Sequence, residues 1–278
     1  MIAAYWPAWF RQRYGGRWPR DYLAFDVETT GLSLTEDLVV EWGHCLVRDT
    51  HIVDQATVLI DWTSCVQLDQ DWLVARLDSV RRQLEAVGRR YSVTWQRLRQ
   101  EGIPPAEAFA QIDELLTTMR QHGGYLVAHN GYGFDEPMLL QSARRIEQPQ
   151  LFQIGDDALL DTQLLEKASQ VPGDARVQPQ AGETLRQYFT RLRALTLPGV
   201  RSNLDTHCYQ KYFAARGIDR QQLHQAAYDA YCCHVLMEIW RELADAPPSS
   251  PPPAGQKVSL TAASSTTALI RYRGQRNN

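Results

Sequence analysis

The sequence predicts an α/β fold: a mixed β-sheet, its first three strands antiparallel, flanked by α-helices. Three observations predict it. Apolar, strand-like runs come first and are separated only by short turns. From about residue 71 the apolar spacing changes to that of a helix. A further strand-like run at 125–128 then returns between helical segments, the alternation of an α/β chain.

Residues 22–27, 38–47 and 51–60 are the first three strands, and the turns at 31–37 and 48–50 are short enough to make them antiparallel neighbours. Residues 71–88 and 105–120 have helical periodicity; Phe109, Ile112, Leu115, Leu116 and Met119 form one face of the later helix, and Pro104-Pro105 marks its entrance. Gly123-Gly124 precede the fourth strand, which leads through HNGYG into a helix beginning near Glu136-Pro137. Further helices are predicted at 161–169, 184–193 and about 221–243. Beyond Asp245 the composition turns to APPSSPPPAGQ, giving a flexible Pro/Ser/Thr-rich tail over 246–278. Residues 1–20 form an aromatic, arginine-bearing extension without the basic start of a signal peptide. It is expected to pack on the domain or to serve as a docking or nucleic-acid contact.

At 278 residues and 44% apolar content the chain can bury a full core. Its 29 basic and 32 acidic residues leave a net charge of −3, which argues against partners that need a broad cationic surface but not against an enzyme gripping a few nucleotides. Five cysteines without a CxxC pair suit reduced thiols and a cytoplasmic location. No apolar run reaches the ~18 residues of a membrane span. The arginines between Arg76 and Arg99, interleaved with Asp78 and Glu85, are expected on a solvated helix face. Phosphate contact is the alternative, with Tyr91 and Trp95 as stacking surfaces.

The strand LAFDVETTGL carries two carboxylates, Asp26 and Glu28, on one face, because strand side chains alternate. Alone, such a pair suits a solvated edge; in a core it needs a proton or a hard divalent cation such as Mg²⁺ or Mn²⁺. Asp135, in LVAHNGYGFDEPML, stands where an ordinary N-cap would, but also at the end of a strand, where α/β sheets build their sites. Asp229 shares an apolar helix face with Cys233 and Leu236, which is costly for an unpaired carboxylate. His224 is expected on the loop entering that helix.

Asp26-x-Glu28, His129-Asn130 with Phe134-Asp135, and His224 with Asp229 resemble, in this order, the motifs of the DEDDh 3′→5′ exonuclease family. The similarity spans about residues 22–243. The second motif is worded most like TREX-type repair exonucleases, and Leu160-Asp161-Thr162 looks like the family's strand-to-helix step, with Asp161 a structural cap. The resemblance implies an RNase H-like fold over 21–245, with a helical insertion at about 61–104 whose role the family does not supply. It implies that Asp26, Glu28, Asp135 and Asp229 hold two Mg²⁺ or Mn²⁺ ions, with His224 as general base. Glu28 would hold the terminal 3′-hydroxyl, and Thr29, Thr30, Gly31 and Leu32 the last base, with His129 and Asn130 also toward substrate. The expected partner is a nucleic-acid 3′ end, DNA favoured, with a protein partner through the tail as an additional expectation. An exoribonuclease like RNase T or oligoribonuclease, and a non-cutting module that binds nucleic-acid ends, are the competing readings.

Overall fold

In the computed structural model, residues 18–171 and 173–245 are described. A five-stranded mixed sheet has the order β3-β2-β1-β4-β5. Strands β1 (Tyr22–Thr29), β2 (Val39–Arg48) and β3 (His51–Leu59) are antiparallel neighbours; β4 (Tyr125–Ala128) runs parallel to β1, and β5 (Leu159–Asp161) parallel to β4. Residues 246–278, with the expected tail, and residues 1–17 of the extension lie outside the described residues. Of the extension's described part, Trp18 donates from its indole to the carbonyl of Met237 (3.1 Å) and meets Trp240 edge-on.

The helices are α1 (Gln70–Ala86), α2 (Trp95–Glu101), α3 (Pro105–Gln121), α4 (Glu136–Arg145), α5 (Thr162–Ser169), α6 (Leu185–Ala194) and α7 (Ala226–Asp245). Sequence periodicity overlooked α2, which is short. It also started the last helix too early: residues 220–222 form a separate turn, and His224 adopts a left-handed backbone (φ 68°) that delays α7 to Ala226. Asp61, Asp69 and Thr94 cap the turn and the two helices that fill the insertion, each accepting backbone N–H bonds.

The two faces of the sheet differ in character. Phe25 stacks on Trp42 at 4.7 Å on one face, where bulky buried rings and aliphatic chains make the core. On the other face, β1 and β2 pack against α7. Small residues make that approach possible, above all Gly43, paired with Asp26 across the strands. A Cβ on Gly43 would run into the backbone of Ala226 and Ala227. The opening turn of α7 therefore lies directly against β2 beside Asp26. Tyr22 fastens the helix further along, its hydroxyl 2.8 Å from His234 Nδ1.

Candidate active site

The register of β1 on β2 slips between Glu28 and Thr29. A bulge of this kind bends a strand and re-aims its side chains, so the chain turns into the 30–37 loop at the carboxyl end of β1. Asp26 and Glu28 project from the α7 face there. Parallel neighbour β4 ends beside them, and its exit through His129 brings in Asp135. The long final helix supplies Asp229, and the loop before it His224. A cleft of about 590 Å³ is lined by all five, together with residues 29–33 and His129. Residues far apart in sequence therefore meet at the carboxyl ends of adjacent parallel strands, where open α/β sheets place ligands.

Asp135 is no N-cap: its backbone is helical and its side chain makes no capping bond. This differs from the cap that local spacing suggests, because a π-helical turn over Gly131–Asp135 carries the chain straight into α4. Asp161 does act as a cap. Its buried carboxylate accepts from the N–H groups of Gln163 and Leu164, and also of Asn130 and Tyr132, so it pins the turn that presents Asp135. Asn130 takes the left-handed conformation of that turn (φ 78°) and does not line the cleft. His129 does line it, yet both ring nitrogens are engaged, Nε2 with the Ser202 carbonyl (2.6 Å) and Nδ1 with Thr162 Oγ1 (2.9 Å). Burial pushes His129 down to about 4, so its ring is neutral near pH 7.

The electrostatics of the cleft are those of crowded acids. Burial, and then the neighbouring carboxylates Asp135, Asp229, Glu28 and Glu41, hold Asp26 well above the usual range. Burial followed by Asp229, Glu41 and Asp135 does the same to Glu28. Asp135 is pushed up to about 8 by burial and then by Asp161. Asp229 reaches about 7 through burial, although the N–H of His224 donates to its Oδ2 at 3.1 Å. Asp135 Oδ2 and Asp229 Oδ1 are buried without a hydrogen-bond partner. His224 moves the other way: burial lowers it, favouring the neutral imidazole. Ligand atoms of Glu28, His224 and Asp229 lie within 4.8 Å of one another. Orphaned oxygens and mutually repelling carboxylates are the donor set that a hard divalent cation satisfies, so these residues fit one.

The sign of the pH dependence follows. Asp135 and Asp229 titrate higher in the folded protein than unfolded, so the stability they contribute is full below about pH 4 and lost as pH rises through about 7 to 8. Over pH 6 to 8.5 the melting temperature of EDTA-treated protein should fall. Stabilisation by Mn²⁺ should grow over the same interval, because the ligands must shed protons to bind. Thermal melts at several pH values check both; a metal effect independent of pH would rule out these carboxylates as its source.

Two contributors escaped the sequence reading. Glu41 on β2 pairs across from Glu28, is 3% exposed, and accepts from the N–H of Ala226 at the start of α7. Its signal was available, since LVVEWG sets a carboxylate among buried residues just as LAFDVE does. The second is α1, whose Arg76, Ser79, Val80, Gln83 and Leu84 form one wall of the cleft. The other arginines of this stretch largely follow the helix-face expectation: Arg81 pairs with Asp78 and Glu85, and Arg97 with Glu101. The five cysteines carry free thiols. Among the described residues no helix is long and apolar enough to cross a membrane.

Solved structures of exonuclease I share this fold. One, the structure that suggests how its processivity is achieved, aligns with a TM-score of 0.51 at 17% identity, over 81% of this chain and 42% of its own. A product-bound form gives 0.50 at 16% identity, over 82% of this chain and 45% of its own. E. coli exonuclease I in complex with a dA16 oligonucleotide gives 0.49 at 16% identity, over 81% and 42%. The chain thus spans less than half the length of these proteins. By sequence, no protein-family model and no curated protein matches it.

Proposed function

We propose that the protein is a metal-dependent 3′→5′ exonuclease that removes nucleotides from the 3′ end of nucleic acid, DNA in preference to RNA. One observation carries the proposal: Asp26, Glu28, Asp135, Asp229 and His224, from three separate segments of the chain, line a single cleft in which two buried carboxylate oxygens lack partners. The exonuclease I fold and the order of the three motifs support it, and the TREX-like wording of residues 129–139 favours DNA and a role in repair or turnover.

Asp26, Glu28, Asp135 and Asp229 would hold two divalent ions, Mg²⁺ or Mn²⁺. When bound, these supply an acidified water and neutralise charge on the phosphate's attacking and leaving oxygens. A phosphodiester could not otherwise approach four carboxylates. The neutral imidazole of His224 takes a proton from the attacking water at a ring nitrogen. The water oxygen bonds to phosphorus, the P–O3′ bond breaks, and the leaving O3′ takes up a proton from solvent, so that a 5′-mononucleotide departs from a strand with a new 3′-hydroxyl. Before release, Glu28 holds the 3′-hydroxyl of the terminal nucleotide, and residues 29–32 enclose its base. Free thiols suit the reducing cytoplasm.

The test uses 3′-labelled and 5′-labelled single-stranded DNA and RNA oligonucleotides with Mg²⁺ or EDTA. Mononucleotides released stepwise from the 3′ end, fastest on DNA and abolished by EDTA, are expected. Cleavage within the strand, or equal release in EDTA, would remove the proposal. Binding of the 3′ end without release in any metal would favour the end-binding module.

A further inference from the structure

The insertion between β3 and α3 makes three separate polar contacts with the rest of the domain, two of them with the loop that lines the cleft. Arg76 on α1 donates from Nε to Asp37 Oδ1 at 2.8 Å and from Nη2 to Oδ2, a two-pronged pair. Asp37 is fully buried, and the same carboxylate accepts from Thr30 Oγ1 (2.8 Å) and from the N–H of Ser33 (2.8 Å). Further along, the buried Tyr91 hydroxyl donates to the carbonyl of Thr29 at 2.9 Å. Arg89 meets Asp205 at 3.4 Å.

Residues 29–33 are thus tied at both ends to the inserted segment. Gly31 sits tightly under the ion pair, for a Cβ there would strike both the Asp37 carboxylate and the Arg76 guanidinium. Beyond the pair, Leu32 leaves 80% of its surface exposed. Such a loop tip has little burial of its own to order it, and a fixed shape must come from its tethers. Arg76, Ser79 and Gln83 recur at helical spacing and face the loop across the cleft.

We propose that the insertion shapes the pocket for the terminal nucleotide, with Arg76 as a positioning residue that acts through Asp37 on residues 30–33. This rests on the reading of 29–32 as that pocket. Arg76 thus affects substrate binding only through the loop and leaves the chemical step to the carboxylates and His224. Arg76→Ala frees one tether, while Arg76→Lys keeps the charge but cannot form the fork.

The experiment pairs hydrogen exchange with steady-state kinetics on a single-stranded oligonucleotide. In Arg76→Ala, amides within 30–37 are expected to exchange at least about tenfold faster. KM should rise about tenfold with kcat within about threefold, the pattern of lost ground-state binding. Arg76→Lys should fall between, and the Mn²⁺-induced rise in melting temperature should stay as in the wild type. Unchanged exchange in the loop, or a fall in kcat at constant KM, would overturn the inference. Wild-type protein that releases no nucleotide from any strand would instead overturn the proposed function, with the exchange data still deciding whether Arg76 orders the loop.

Discussion

Asp229→Asn should lower nucleotide release by about 10³-fold or more, which corresponds to roughly 4 kcal/mol of transition-state stabilisation, while the protein still folds. It should also raise the melting temperature of the metal-free protein. Both effects have one cause. Asp229 is 7% exposed on the sheet-facing side of α7, beside Glu28 and near Glu41, with one oxygen lacking any partner. Without a cation, its ionisation is opposed by burial and by neighbours of the same sign; the amide removes that repulsion and a ligand together. The Mn²⁺-dependent shift in melting temperature should shrink in parallel. His224→Asn is the companion variant: asparagine tolerates the left-handed backbone found at this position (φ 68°), so the base is deleted with little strain. Its expected loss is about 10²–10⁴-fold, the range for a general base, with the metal-induced shift retained. Near-normal release by either variant in single-turnover assays would sink the assignment of these two roles.

Gly43→Ala should be the most damaging substitution of a residue with no chemistry of its own. The added methyl would overlap the backbone of Ala226 and Ala227. Backbone cannot swing aside like a long side chain, so α7 must lift from β2 or the strand must shift. Overpacking of well-packed sites costs about 1–3 kcal/mol, and the rigid partner places this site at the upper end. Function should suffer more than stability. His224 and Asp229 ride on the opening of α7, Glu41 holds the N–H of Ala226, and Asp26 pairs with Gly43 across the strands. The lift of the helix that this overlap demands therefore separates ligands drawn from three elements. Urea unfolding together with the nucleotide-release assay checks this. A variant of wild-type stability and activity would show that α7 can move without consequence for the site.

Much of this protein could be read in its sequence, because the informative patterns are local. Period-two runs around Tyr22, Val39 and Ile52, short turns and a later helical period determined the antiparallel start of the sheet and the helices that follow. The conflict between apolar surroundings and the charges of Asp26, Glu28 and Asp229 marked the cleft, since a buried carboxylate has to be neutralised by something. What the sequence could not decide was set by contacts between distant segments. Asp135, which its local spacing left between a helix cap and a site residue and only its motif assigned to the site, is held toward the cleft by the turn that Asp161 pins. Gly43 was one glycine in a strand until α7 lay against it. Arg76 belonged to a charged helix face until Asp37 paired with it across the pocket. Local spacing says which way a side chain leaves its own element, but not which element stands opposite; that depends on how close two backbones can come, and only the packed fold fixes it.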